Sequence, residues 1–158
     1  MELLKKMKRK EEKEMVIINA PASFQETEET IRNILPVRND LSEGKADFIL
    51  VFFENAEAIR SLVPQILESV TDDALLWAAY PKKSSKKIRS DISRDNGWEI
   101  FGEFGYEPVG QISIDEDWSA LRFRPLKNIG SFRRNEKMIL SEEGRKRSEM
   151  ENRKKQQD

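Results

Sequence analysis

Between Tyr80 and Trp98 the chain reads YPKKSSKKIRSDISRDNGW, and most of its chemically capable side chains are crowded into the first part of that stretch. Lys82, Lys83, Lys86, Lys87 and Arg89 can neutralise phosphate, while Ser84, Ser85 and the backbone amides beside them can donate hydrogen bonds to it. Ser84 and Lys87 also have the S-x-x-K spacing in which a lysine activates a serine nucleophile. That pattern is short, and the motifs that accompany it elsewhere are missing. In Asp91-Ile92-Ser93-Arg94-Asp95 the two carboxylates stand four apart. On a helix they would share a face, with Arg94 beside Asp91, and such a pair can hold a cation or an amine. The plain alternatives are a solvated basic loop for the lysines and compensation of a helix dipole for the aspartates. The stretch has none of the glycines of a phosphate-binding P-loop.

What the chain lacks narrows the chemistry further. With no cysteine and no histidine among 158 residues, zinc-thiolate sites, disulfides, cysteine nucleophiles and histidine-based triads are all excluded. Any reaction must run on carboxylates, lysine, hydroxyls or a borrowed cofactor. Net charge is only −1, yet it is unevenly spread. Residues 15–79 carry 4 Lys/Arg against 11 Asp/Glu, whereas residues 80–95 carry 6 against 2 and residues 127–158 carry 10 against 6. A basic patch of this kind attracts an anionic small molecule or a phosphate-bearing partner. A sequence pI near 5.8 argues against a dedicated nucleic-acid binder. The N-terminal MELLKKMKRKEEKE has no apolar stretch behind its charges, and no run is long enough to span a bilayer. The expected location is the cytoplasm.

Three apolar runs supply the elements that must position these groups: Met15–Ile18, Phe48–Phe53 and Ala74–Tyr80. They are continuous rather than alternating, as in strands of a parallel sheet buried on both faces. Helical signals lie between them. Ser23-Phe24-Gln25-Glu26 matches a capping box opening a segment to about Leu35, with Ile31, Ile34 and Leu35 on one face. From Asn55 to Val70 an apolar stripe recurs at helical period, and Pro64 within it predicts a kink or a restart. A third helix is expected from a cap at Ser90 or Asp91 to Gly105. Two strands, at about 109–115 and 119–124, are joined by the acidic turn Asp115-Glu116-Asp117-Trp118. That turn suits a hairpin better than a calcium loop, and Trp118 suits the core better than a ligand platform.

The expected fold is therefore α/β: a small three-layer sandwich of order β-α-β-α-β-α-β-β, mostly parallel and ending in an antiparallel hairpin. One domain covers residues 15–126. Residues 1–14 form a charged N-terminal arm, expected to be helical, and residues 127–158 a polar tail, expected to be disordered or loosely helical. The first strand leads into Asn19-Ala20-Pro21-Ala22-Ser23-Phe24 without a glycine, so the standard dinucleotide cradle is absent and no cofactor is expected.

Leu75–Ser85, then Asp91, Arg94 and Asp95, then Asp115 with Trp118–Pro125, resemble a family of small bacterial proteins of unknown function. Its pattern runs "LLWxxYPK-x-SS", "D-x-x-RD" and "D-x-x-W-SALRFRP"; an early Asn-Ala-Pro also matches, at Asn19–Pro21. The resemblance implies no activity. It does imply an element order like the later half of a Rossmann-like methyltransferase fold, whose cofactor glycines and acidic ribose-binding strand end are not visible here. Three functions follow as expectations. The foremost is a non-catalytic binding module whose basic loop, residues 82–95, meets an anion. Its candidate contacts are Lys82, Lys83, Ser84, Ser85, Lys87, Asp91, Arg94, Asp95 and Trp118. The second is a small enzyme using Asp91, Arg94 and Asp95 with Ser84 or Lys87. The third is a degenerate domain binding S-adenosylmethionine. The missing catalytic machinery leans against an enzyme.

Overall fold

The computed structural model describes residues 1–129 apart from residue 43, together with Leu140, Gly144 and Lys146. Most of the polar tail expected from residue 127 onward lies outside the described residues. The elements are α1 (Glu2–Lys6), β1 (Met15–Ile18), α2 (Gln25–Arg32), β2 (Val37–Arg38), β3 (Ala46–Phe52), α3 (Ala56–Glu68), β4 (Val70–Pro81), α4 (Glu99–Glu103), β5 (Tyr106–Ser113) and β6 (Trp118–Pro125). They build a six-stranded sheet of order β2-β1-β3-β4-β6-β5. The first four strands in that order are parallel, and β6 runs antiparallel between β4 and β5.

The continuous apolar runs became the central strands because each is covered twice. On one face, Ile59, Val63 and Ile66 of α3 and Phe101 of α4 pack with Trp98 over Ile49, Val51, Leu76 and Ala78. On the other, Leu3, Leu4 and Met7 from the N-terminus and Ile31 of α2 pack with Phe24 over Leu50, Phe52, Leu75 and Trp77. The indole N–H of Trp77 donates to the Met7 carbonyl at 3.1 Å, so the N-terminal segment is tied into the core. The three-layer, mostly parallel sheet expected from the sequence is the one observed. Its final hairpin is placed so that the last strand, not the one before it, pairs with β4.

Several local expectations are corrected. The capping box at Ser23 is not formed: a 3₁₀ turn, Ala22–Phe24, precedes α2, whose start has no side-chain cap. Burial of Phe24, 1% exposed, fixes that turn instead. α2 ends at Arg32, so Ile34 swings outward to 44% exposure while Ile31 and Leu35 stay buried. Helix α3 runs from Ala56 to Glu68 as one element, so it does not restart at Pro64. Proline within a helix costs about 3 kcal/mol, but burying Ile59, Val63 and Ile66 returns roughly 1.5–3 kcal/mol each. The short strand β2 has too few residues to carry a periodic signal.

The third helix shows the largest departure. Only Glu99–Glu103 is helical, and residues 82–98 form one long crossing loop. The two proposed caps are engaged elsewhere. The Ser90 hydroxyl donates to the Glu54 carbonyl at 2.6 Å, and an Asp91 carboxylate oxygen accepts the Ala56 amide at 2.8 Å. Gly105 does take the left-handed conformation expected of it, with φ +76°.

Candidate functional site

Strand β4 delivers Pro81 to the sheet's C-terminal edge, and the loop beyond it is held from two sides. On one side stands the acidic turn between β5 and β6. The Lys82 amide donates to the Asp117 carbonyl at 2.8 Å, and the Lys82 ammonium donates to the Ser113 hydroxyl at 2.7 Å. The Ser85 hydroxyl donates to the Asp117 carboxylate at 2.8 Å while accepting the Lys87 and Ile88 amides. Asp115 in turn accepts the amides of Asp117 and Trp118, which closes that turn on itself. The acidic turn is thus a hairpin that braces the basic loop.

On the other side stands the N-terminus of α3. Asn55 caps it through the Ala58 amide, and Asp91 reaches across from the loop to satisfy the Ala56 amide. Removing an N-terminal cap typically costs about 1 kcal/mol. Asp91→Ala is therefore expected to lower unfolding stability by about 1 kcal/mol in urea denaturation, with Asp91→Asn much milder because its side-chain oxygen still accepts. Further along, Ser93 and Asn96 close a second turn that carries Arg94 and Asp95 at its tip. It is fastened by Asn96 to the Asp91 carbonyl and by the Trp98 indole N–H to the Ser93 carbonyl, each at 2.7 Å.

This bracing leaves two adjoining hollows that share Lys82, Lys83 and Ser84. The first has a volume of about 630 Å³ and adds Lys86 and Arg89 to the two shared lysines. The hydroxyls of Ser84, Ser85 and Ser90 also line it, and no carboxylate does. The second, of about 350 Å³, adds Ser93, Arg94 and Asp95 from the far turn and Tyr80, Gln111 and Ser119 from the sheet. Lys83, Lys86, Arg89 and Arg94 make no ion pair with any described residue, so their charge is unspent.

The sequence-predicted residues therefore separate. Lys82, Lys83, Ser84 and Ser85 meet around the first hollow, and Arg94 and Asp95 join the shared three at the second. Lys87 lines neither. Asp91 and Asp95 do not share a helix face, because no helix forms there, and Asp91 serves α3. Trp118 is 1% exposed and packs edge-on against Phe52, with ring centroids 5.1 Å apart. The sequence singled out Tyr80 as the exit of a buried strand, not as a contact, and gave no sign of Gln111 or Ser119. Gln111 and Ser119 sit on strands that were read only for hydrophobic alternation.

Tyr80 forms the floor of the second hollow, where its hydroxyl accepts from the Gln111 amide at 2.7 Å. Burial pushes its phenol above the ordinary 10.0, although Gln111, Arg94 and Ser119 pull the other way. Burial raises Tyr106 as well. These are the only two tyrosines in the chain. A raised phenol holds its proton more tightly when folded, so this contribution is complete below the unfolded value and fades as pH climbs through the folded one. Stability is expected to fall with pH above about 10, with phenolate absorbance lagging that of free tyrosine.

No protein-family model matches the sequence, and no curated protein matches it. Among solved structures, the ribosomal protein L11 methylase of Lactobacillus delbrueckii subsp. bulgaricus aligns at 11% identity and TM-score 0.43, over 71% of this chain and 69% of that one. The N-methyltransferase NodS of Bradyrhizobium japonicum aligns at 12% identity and TM-score 0.41, over 78% and 92% respectively. A protein of the NADB-Rossmann superfamily from Streptococcus agalactiae aligns at 8% identity and TM-score 0.43, over 78% and 67%.

In α/β sheets that bind a dinucleotide, the cofactor lies where the first strand turns into the first helix, on closely approaching backbone amides. At that turn Asn19 occupies a left-handed conformation at φ 59°, Pro21 offers no N–H, and the Phe24 ring packs 5.0 Å from that of Phe52. The carboxylate beyond β2, Asp40, accepts the amide and hydroxyl of Ser42, and Asn39 donates to the Ile17 carbonyl. Asp40 alone is suited to a ribose; the rest of the turn does not fit the group.

Proposed function

We propose that the chain is a non-catalytic binding module that receives a small phosphate-bearing anion at the loop spanning residues 82–95. The observation that carries this reading is the first hollow, where Lys82, Lys83, Lys86 and Arg89 converge with the Ser84 hydroxyl and no carboxylate, the Ser85 and Ser90 hydroxyls there already donating to Asp117 and Glu54. A phosphate entering it exchanges water for charge-assisted hydrogen bonds from the Lys83, Lys86 and Arg89 side chains, from the Lys82 ammonium and from the Ser84 hydroxyl. The residues of the enzyme reading support catalysis less well. Asp91 is engaged in capping, and Lys87 stands apart from Ser84's hollow.

Thermal unfolding in the presence of inorganic phosphate, pyrophosphate and a chloride control of equal ionic strength tests the proposal. Phosphate and pyrophosphate are expected to raise Tm in a saturable way, by RT ln(1 + [L]/Kd) in free energy. Identical curves in all three salts would sink it. Calorimetric titration with S-adenosylmethionine is expected to give no saturable heat, and a saturable isotherm would restore the methyltransferase-like alternative.

A further inference from the structure

We infer that the two hollows take one ligand between them: a phosphomonoester of a polyhydroxylated small molecule, a sugar phosphate in chemical class, rather than a nucleotide or bare phosphate. This rests on the reading of the loop as an anion site.

The hollows are contiguous through Lys82, Lys83 and Ser84, but their linings differ in kind. The first offers donors and positive charge with no carboxylate, which is what a phosphate requires. The second mixes both senses of hydrogen bond. Arg94 donates, Asp95 accepts, and the hydroxyls of Ser93 and Ser119, the phenol of Tyr80 and the carboxamide of Gln111 do either. Alternating donors and acceptors match vicinal hydroxyl groups, each of which gives one hydrogen bond and takes others.

The second hollow also lacks what a nucleobase needs. Its single aromatic lining residue is Tyr80, 4% exposed. The ring is covered by Trp98 at a centroid distance of 5.5 Å, and with so little of it exposed there is no open aromatic face for a base to stack on. Base stacking on an aromatic face is a main source of affinity for nucleobases, and no such face is offered here. At about 350 Å³ the second hollow also falls at the small end of the roughly 300–1,000 Å³ range of ligand sites, which suits a pyranose or furanose.

Calorimetric titration of the full chain with glucose 6-phosphate, ribose 5-phosphate, adenosine 5′-monophosphate, glucose and inorganic phosphate at one ionic strength distinguishes the cases. At least one sugar phosphate is expected to bind about 10-fold or more tighter than inorganic phosphate, with the nucleotide no tighter than phosphate. Gln111→Ala is expected to bring the sugar phosphate down to the phosphate level while leaving phosphate binding unchanged, since Gln111 lines the second hollow only. If phosphate binds and neither sugar phosphate exceeds it, the inference fails and the anion site stands. If the nucleotide binds tightest, or if Gln111→Ala leaves the preference intact, the inference is overturned. If no phosphate compound binds, the anion site falls and the inference with it.

Discussion

Replacing Lys83 and Arg89 together by alanine is expected to weaken phosphate binding about 100-fold while leaving the fold untouched. Both side chains line the all-cationic hollow, and neither makes an ion pair with a described residue. A charge-assisted hydrogen bond contributes about 1.5–3 kcal/mol, and the lower end applies because both groups are exposed in the free protein. Two such losses amount to about 3 kcal/mol, a little over two decades in Kd. Surface truncations of this sort shift stability by no more than about 0.5 kcal/mol, so Tm without ligand should hardly move. Titration calorimetry of the double variant checks the first figure and thermal unfolding the second. Unchanged phosphate affinity would show that the charges are merely solvated.

The largest stability effect is expected at Trp98. It is 2% exposed and packs against Phe53, Tyr80, Phe101 and Phe123, with ring centroids 5.4–6.4 Å away. Trp98→Ala should cost about 3–5 kcal/mol in urea denaturation, a large share of the roughly 5–15 kcal/mol that holds a domain together. The same residue links core to site, because its indole N–H donates to the Ser93 carbonyl beneath Arg94 and Asp95. Trp98→Phe keeps most of the packing and removes that bond, so it should remain folded. Its expected signature is a site defect: loosened protection of the Ser93–Asn96 turn in hydrogen exchange, with core protection preserved. A wild-type exchange pattern there would disprove the link.

How much of this was legible in the sequence depended on whether the signal was local. The strands at Phe48–Phe53 and Ala74–Tyr80 could be read because a central parallel strand is apolar at every position, whatever its neighbours. Gly105 could be read because a left-handed helix terminus favours one residue type. The helix expected from Ser90 or Asp91 to Gly105 could not be cut back to Glu99–Glu103 from sequence. Ser90 and Asp91 are good caps, and the α3 terminus they serve lies 35 residues earlier for Asp91, a distance no local pattern encodes. The basic half of the site was visible as a charge run. Gln111 and Ser119 were not, and their meeting with Tyr80 depends on β6 lying between β4 and β5, which brings Tyr80 opposite Ser119.

That same inserted strand divides the molecule by use. β1 and β3 start at one edge of the sheet, and because β6 runs the other way, Pro125 returns the chain to that edge. The basic loop stands at the opposite edge, where Pro81 pairs with Trp118. The sheet therefore has one edge from which the chain departs and an opposite edge that carries the proposed anion loop. A biosensor handle joined through the chain that follows Pro125 starts from the side remote from Lys83 and Arg89, which suits the protein to surface-immobilised binding measurements.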